Sequence, residues 1–404
     1  MSELVVYLLG RRAGRLIRKE NGNLQFRYDR DYEGRPVSQT MPVQTASAYP
    51  HALCRAVFGG LLLEGDARET LARNLGVSAG NDYALLDELG GDCAGAITLL
   101  ESEAEIPEEL AVRALDDGQL DELLRDLPRR PLAADPQEGI RLSLAGGQPK
   151  LPVILDEGGG AALPLNSAAA TTHIIKPEPE RFPGLVDNEA FCMQLAHAVD
   201  LRVARVEKHK TISGEPYLLI ERFDRDLTTE PIRRLHQEDV CQALGCPSER
   251  KYQAEGGPTA PAVVDLLRSC SAVPAQDLPR FWEALVFNWL IGNCDAHAKN
   301  FSLLYDGGSP SLAPLYDLVS TTVYPELTTR LAMSIDGAKK IEEVDAGAWL
   351  KLATEARYSA RFARQAIVSM IERVLTQAEV LAGLPDHDNE NVKRVLDGIY
   401  DRVE

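Results

Sequence analysis

Gly292-Asn293-Cys294-Asp295-Ala296-His297-Ala298-Lys299-Asn300 is the stretch on which the reading of this 404-residue chain turns. It follows an apolar helical run, Phe281 to Ile291, and leads into the apolar strand candidate Phe301-Ser302-Leu303-Leu304-Tyr305. An Asp and an Asn separated by four residues can divide a task, one side chain meeting a hydroxyl while the other reaches a metal. Taken alone, that spacing is common in polar loops. Here Asp, His, Lys and Asn crowd into six residues after a tight Gly292-Asn293 turn, a density that loop composition does not explain. Lys299 is suited to screening a transferring phosphate, and His297 is as well suited to bracing the loop as to chemistry.

Phosphoryl transfer needs a base for the hydroxyl, oxygen ligands for Mg²⁺ and cations on the phosphates. Two further segments can supply what the first lacks. Asp317 lies in Ala313-Pro314-Leu315-Tyr316-Asp317-Leu318-Val319, and an acid among apolar residues is costly unless a cation satisfies it, so it is a candidate Mg²⁺ ligand. Upstream, Ser143 to Gln148 contains Ala145-Gly146-Gly147-Gln148, whose backbone amides can approach a phosphate where side chains are missing. Lys176 ends the apolar strand candidate Thr172-His173-Ile174-Ile175-Lys176 and supplies a fixed positive charge, and Glu189 on the next helix is a possible partner for it.

The surrounding pattern is α+β. Residues 1 to about 45 alternate apolar and polar positions between turn signals, a small β-rich module. From Pro50 to about Leu99 the spacing turns helical. Ile140 to Leu155 reads as a glycine-tipped hairpin, followed by the strand ending at Lys176, an amphipathic helix through Phe191, Leu195 and Val199, and the strand Tyr217 to Phe223. Beyond residue 235 helices are expected at 237–244, 260–270, 276–292, 347–358 and 360–382, interrupted by short strands between Phe301 and Ile335. The domain plan is residues 1–100 as an N-terminal subdomain, 101–139 as an acidic connector, 140–234 as an ATP-binding lobe and 235–404 as a helical lobe. A small β-containing lobe before a larger helical one is the two-lobed plan of a protein kinase.

Hydrophobic residues form 45% of the chain and charged ones 26%, enough apolar material for a sizeable core. The net charge of −18 argues against a chain that holds nucleic acid by itself, because phosphate binding needs Lys and Arg. Residues 101–139 carry twelve Asp or Glu against four Arg, a local net charge of −8, and read as a solvated connector with helical pieces. Seven cysteines without regular spacing suit a reducing cytoplasm. The N-terminus lacks the pattern of a secretory signal, and no apolar run is long enough to span a bilayer.

The sequence resembles the HipA family, kinase toxins of bacterial toxin–antitoxin pairs. The resemblance is carried in order by Arg141 to Gln148, Thr172 to Lys176, Asp187-Asn188-Glu189, Glu221-Arg222-Phe223-Asp224-Arg225, Leu235 to Gly245, Gly292 to Ser302, and Tyr316-Asp317. It implies an ATP- and Mg²⁺-dependent serine/threonine kinase with Asp295 as catalytic base and Asn300 and Asp317 as metal ligands. Lys176 would contact the ATP phosphates, and backbone groups at Glu221 and Phe223 the adenine. Ala145, Gly146, Gly147, Gln148, His297 and Lys299 are grouped with the ATP site, and Ser143 is the implied autophosphorylation site. The implied partners are a HipB-like helix-turn-helix antitoxin, through which alone DNA is reached, and a protein substrate such as glutamyl-tRNA synthetase, an aminoacyl-tRNA synthetase. Tyr316-Asp317-Leu318 stands where ordinary protein kinases have Asp-Phe-Gly, and Asn293-Cys294 where they have His-Arg, which removes no needed group. The alternatives are a kinase-like corepressor without turnover and a small-molecule kinase.

Overall fold

Alternation at the start of the chain is realised as three antiparallel strands, β1 (Ser2–Leu8), β2 (Arg11–Arg18) and β3 (Leu24–Tyr28). In this computed structural model residues 2–101 and 104–403 are described. Leu4, Val6, Leu8, Leu16, Phe26 and Tyr28 point to one face and share a core with Val57, Phe58, Leu71, Leu85, Leu86 and Leu89 from the helices His51–Val57, Gly65–Asn74 and Asp82–Leu89 and the turn after the first. The helical reading ends early. Asp92–Cys93 forms β4, and Ile97–Glu101 forms β5, which pairs with β1 and completes a sheet ordered β3-β2-β1-β5. Isoleucine and threonine in β5 favour the extended chain, and β1 offers it an edge to bond.

The acidic segment is more than a solvated connector. Val112–Ala114 forms β6 and Asp117–Asp126 a helix, opened by a capping box between Asp116 and Gln119. Leu124, Leu127 and Leu132 are buried in the same core, so its charges flank an apolar stripe. The expected hairpin across Gly146-Gly147 does not form. Leu142–Ser143, β7, pairs in parallel with β4, while Leu151–Leu155, β8, pairs with β9 (Ala161–Pro164) and β10 (His173–Pro177). Two alternating runs about a glycine turn look alike in sequence whichever partners they choose. With β11 (Val206–Lys210) and β12 (Pro216–Glu221) the second sheet has the order β11-β12-β10-β8-β9-β6.

By internal contacts the chain forms two compact units, residues 1–177 with 209–249 and residues 178–208 with 250–404. The expected helix at 237–244 is a strand, His236–Asp239, followed by the short helix Val240–Ala243, which Asp239 caps. In the second unit Ala260–Cys270 and Ala360–Ala382 match the expected bounds, joined by Leu185–Ala198, Pro274–Ile291, Ala346–Glu355 and the unanticipated Glu390–Val403.

The first unit gathers five charges, four of them buried and Arg234 half-buried at their edge. Asp92 meets Arg225 at 2.9 Å, Arg234 at 3.0 Å and Arg222 at 3.3 Å, and Thr171 donates its hydroxyl to the same carboxylate at 2.6 Å. Asp224 meets Arg222 at 2.7 Å and Arg225 at 3.0 Å and accepts the Gly95 backbone N–H at 2.6 Å. The surplus guanidinium charge is met by carbonyls of Cys93 and Gly95. Burial acts to raise both carboxyls, but Arg225, Arg234, Arg222 and Thr171 outweigh it at Asp92, and Arg222 and Arg225 at Asp224, holding both below the usual carboxylate range.

Removing one acid would strand buried guanidiniums, so Asp92→Asn is expected to cost about 3–5 kcal/mol in urea unfolding. Because both folded-state carboxyls lie below their unfolded values, their contribution is present above about pH 4 and is lost as the pH falls through the folded values. Unfolding midpoints measured at pH 7 and pH 3 should therefore converge for Asp92→Asn more than for the wild type.

Candidate active site

In the second unit the apolar helix Pro274–Ile291 ends at Gly292, whose φ is +76°. A Cβ there would overlap Thr322 Oγ1 and crowd Arg402, so glycine is required by conformation and by space. The chain is then pinned at each step. Asn293 accepts the Asp295 backbone N–H at 3.1 Å, donates to Asn288 Oδ1 at 2.7 Å, and reaches the Asp317 carbonyl at 3.5 Å. Cys294 donates its N–H to Thr321 Oγ1 at 2.9 Å, and its carbonyl accepts the Ala332 N–H at 2.8 Å.

Asp295 presents its carboxylate, about half exposed, with the Tyr252 phenol donating to Oδ1 at 2.9 Å and His297 Nε2 at 4.0 Å from Oδ2. His297, Lys299 and Asn300 are buried, so what reads as a polar loop is packed. The Lys299 carbonyl accepts the Tyr316 hydroxyl at 2.6 Å. Asn300 donates its amide N–H to the Asp295 carbonyl at 3.2 Å, which leaves its amide oxygen as a ligand atom. Asp317 is half-buried, less than its apolar neighbours implied, and has a φ of +59°. A non-glycine residue there is strained, and such strain gathers at functional sites.

The first unit holds the other candidates apart from Glu189. Ser143 is buried and donates its hydroxyl to the Leu61 carbonyl at 2.9 Å. The Gly146 carbonyl accepts the Glu64 N–H at 3.3 Å, and Lys150 donates to the Ala145 carbonyl at 2.5 Å. Gly146 has a φ of +102°, and a Cβ on it would lie 2.7 Å from Lys150 Nζ. Gly147 is exposed and Gln148 half-buried. Lys176 is buried on β10 opposite Leu218 of β12. Glu221 ends β12, and half-buried Phe223 lies between Arg222 and Asp224 of the buried charge network. Glu189 is buried on Leu185–Ala198 in the second unit.

Sequence reasoning passed over Asn288, Thr321 and Tyr252, which lie 5, 27 and 43 residues from their partners in the loop. A helix-end asparagine was the one visible signal. Hard oxygen donors at Asn300 and Asp317 suit Mg²⁺, which keeps waters and takes substrate phosphate oxygens instead of a full protein cage. No group of three or more His, Cys, Asp or Glu able to hold a metal occurs among the described residues.

An α+β fold with a lysine-bearing sheet before a helical unit that carries an Asp-x-x-x-x-Asn loop defines a protein of kinase-like class. The chain belongs to the HipA family: residues 142–379 match the HipA-like C-terminal domain and residues 4–100 the HipA N-terminal domain. It is 42% identical to the putative kinase Y4mE of Sinorhizobium fredii, over 99% of this chain and 97% of that protein. It is 32% identical to the serine/threonine-protein kinase toxin HipA of Shewanella oneidensis, over 76% of this chain and 72% of that one. Among solved structures, the Shewanella oneidensis toxin–antitoxin complex of HipA, HipB and operator DNA superposes with a TM-score of 0.84 at 27% identity, covering 99% of this chain and 96% of the matched one.

Asn293→Ala leaves the buried Asn288 oxygen without its donor and is expected to cost about 1–3 kcal/mol in thermal or urea unfolding. Asn293→Asp, which keeps the acceptor for the Asp295 N–H but loses the donor, should cost at least as much.

Proposed function

We propose that this chain is a serine/threonine protein kinase that transfers the γ-phosphoryl group of ATP to a protein hydroxyl, with Asp295 as the base. The single observation that supports this most is the hydrogen-bonded Asp295-to-Asn300 loop, which exposes the Asp295 carboxylate from a support of buried His297, Lys299 and Asn300. Asp295 accepts the hydroxyl proton as the new P–O bond forms and the bond to ADP breaks. Asn300 and Asp317 hold Mg²⁺, which would neutralise charge on the phosphates when bound. Lys176 and the amides of Ala145 to Gln148 bind the phosphates, with Lys299 and His297 completing the site, and backbone groups of Glu221 and Phe223 meet the adenine. Glu189 is the partner of Lys176 in this account.

Ser143 is the proposed autophosphorylation site. Its hydroxyl is buried against Leu61, so residues 143–148 must leave Leu61 to Glu64 before Ser143 reacts. A phosphate there brings about two negative charges and cannot return to that pocket, which would switch the kinase off. The protein substrate is proposed to be a translation component such as glutamyl-tRNA synthetase, with neutralisation by a HipB-like helix-turn-helix antitoxin that carries the DNA contacts. No described helix is long and apolar enough to cross a membrane, and a cytoplasmic site of action is part of the proposal.

The test is incubation with γ-labelled ATP and Mg²⁺. Label should enter Ser143 and a translation protein, fall by about 10³-fold or more in Asp295→Ala and Asp317→Asn, and vanish with EDTA. ATP binding without transfer by the wild type would favour the corepressor alternative, and turnover of a metabolite without a protein acceptor the small-molecule kinase.

A further inference from the structure

The Asp295 side chain is 49% exposed, so its carboxylate can be met by an incoming hydroxyl. A general base has to hold one carboxylate oxygen on the incoming hydroxyl, and a freely turning carboxylate does so only part of the time. The Tyr252 phenol, 2.9 Å from Oδ1, is close enough to fix it, whereas His297 at 4.0 Å is not a hydrogen bond.

Tyr252 is itself unusually constrained. Its carbonyl accepts the N–H groups of Glu255 at 2.9 Å and Gly257 at 3.0 Å. Beside it, Gln253 forms a reciprocal pair with Ser334, donating to Oγ at 2.7 Å and accepting the backbone N–H at 2.8 Å. Ser334 lies on the strand Arg330–Ile335, the same strand whose Ala332 N–H holds the Cys294 carbonyl. Tyr252 and the catalytic loop are thus referenced to one strand. The ring meets His297 edge-on at 5.4 Å, and Lys251 lies 5.3 Å over its face. The phenol oxygen is therefore aimed and not merely nearby.

We propose that Tyr252 is a positioning residue for phosphoryl transfer: its phenol holds the Asp295 carboxylate so that the remaining oxygen lone pairs face the acceptor hydroxyl. The inference rests on the reading of Asp295 as the base. A hydrogen bond to an ionised acceptor is among the stronger ones, enough to select one rotamer on an open surface. Phosphate moves from ATP to the acceptor as before, the proton passes to Asp295, and Tyr252 keeps its own proton throughout.

Tyr252→Phe retains the ring contacts and removes only the donor. It is expected to lower kcat for protein phosphorylation by about ten- to a hundredfold, with KM for ATP and the melting temperature unchanged. A positioning role also demands non-additivity: in an Asp295→Asn background, Tyr252→Phe should slow the residual rate no further. Should Tyr252→Phe fail to fold, Gln253→Ala, which removes the tie from the residue next to Tyr252 to Ser334, should lower kcat to a smaller extent. Unchanged kcat in Tyr252→Phe, a loss seen only in KM, or a full additional loss in the Asp295→Asn background overturns the inference while the kinase reading stands. A wild type that transfers no phosphate overturns both together.

Discussion

Two aspartates enclosed by three arginines constrain the first unit more than any other interaction. Removing such groups from water costs several kcal/mol for each ion, recovered only when opposite charges and hydrogen bonds surround every one. Asp92, Arg222, Asp224, Arg225 and Arg234 meet that condition with help from Thr171 and the carbonyls of Cys93 and Gly95. The participants come from β4, the approach to β10 and the chain beyond β12. Misplacing any of these segments leaves a buried charge bare, so the network selects one arrangement. Arg222 and Asp224 also bracket Phe223, so the backbone proposed to meet adenine is clamped from both sides.

The second unit solves a different problem with neutral groups. A loop that must keep a carboxylate accessible cannot bury it in an ion pair. Its support therefore runs through Asn288, Asn293, Thr321 and Tyr316, whose bonds end on backbone groups or on one another. The left-handed conformation of Asp317 is the strain this arrangement carries, and the surrounding bonds hold it in place.

The groups of the candidate site that stand out in the sequence are local ones. Asp295 and Asn300 sit within one short loop, and Lys176 directly follows the apolar pair Ile174-Ile175 on a short strand. Long amphipathic helices such as Ala360–Ala382 were equally visible, since periodicity over many residues is hard to imitate. The failures share one cause. β7 chooses β4 over β8, β5 chooses β1, and Tyr252 chooses Asp295, each a partnership across tens of residues that no nearby spacing encodes. Charge alone does not reveal that Arg222, Asp224 and Arg225 are buried; Asp92, far upstream, makes their burial tolerable.

The most direct measurement is a crystal structure of this protein with Mg²⁺ and a non-hydrolysable ATP analogue. The expected result is a metal held by Asn300 and Asp317, with Lys176 on the phosphates and the Asp295 carboxylate facing the γ-phosphoryl group. A nucleotide bound away from these residues, or a metal held by other side chains, would contradict it.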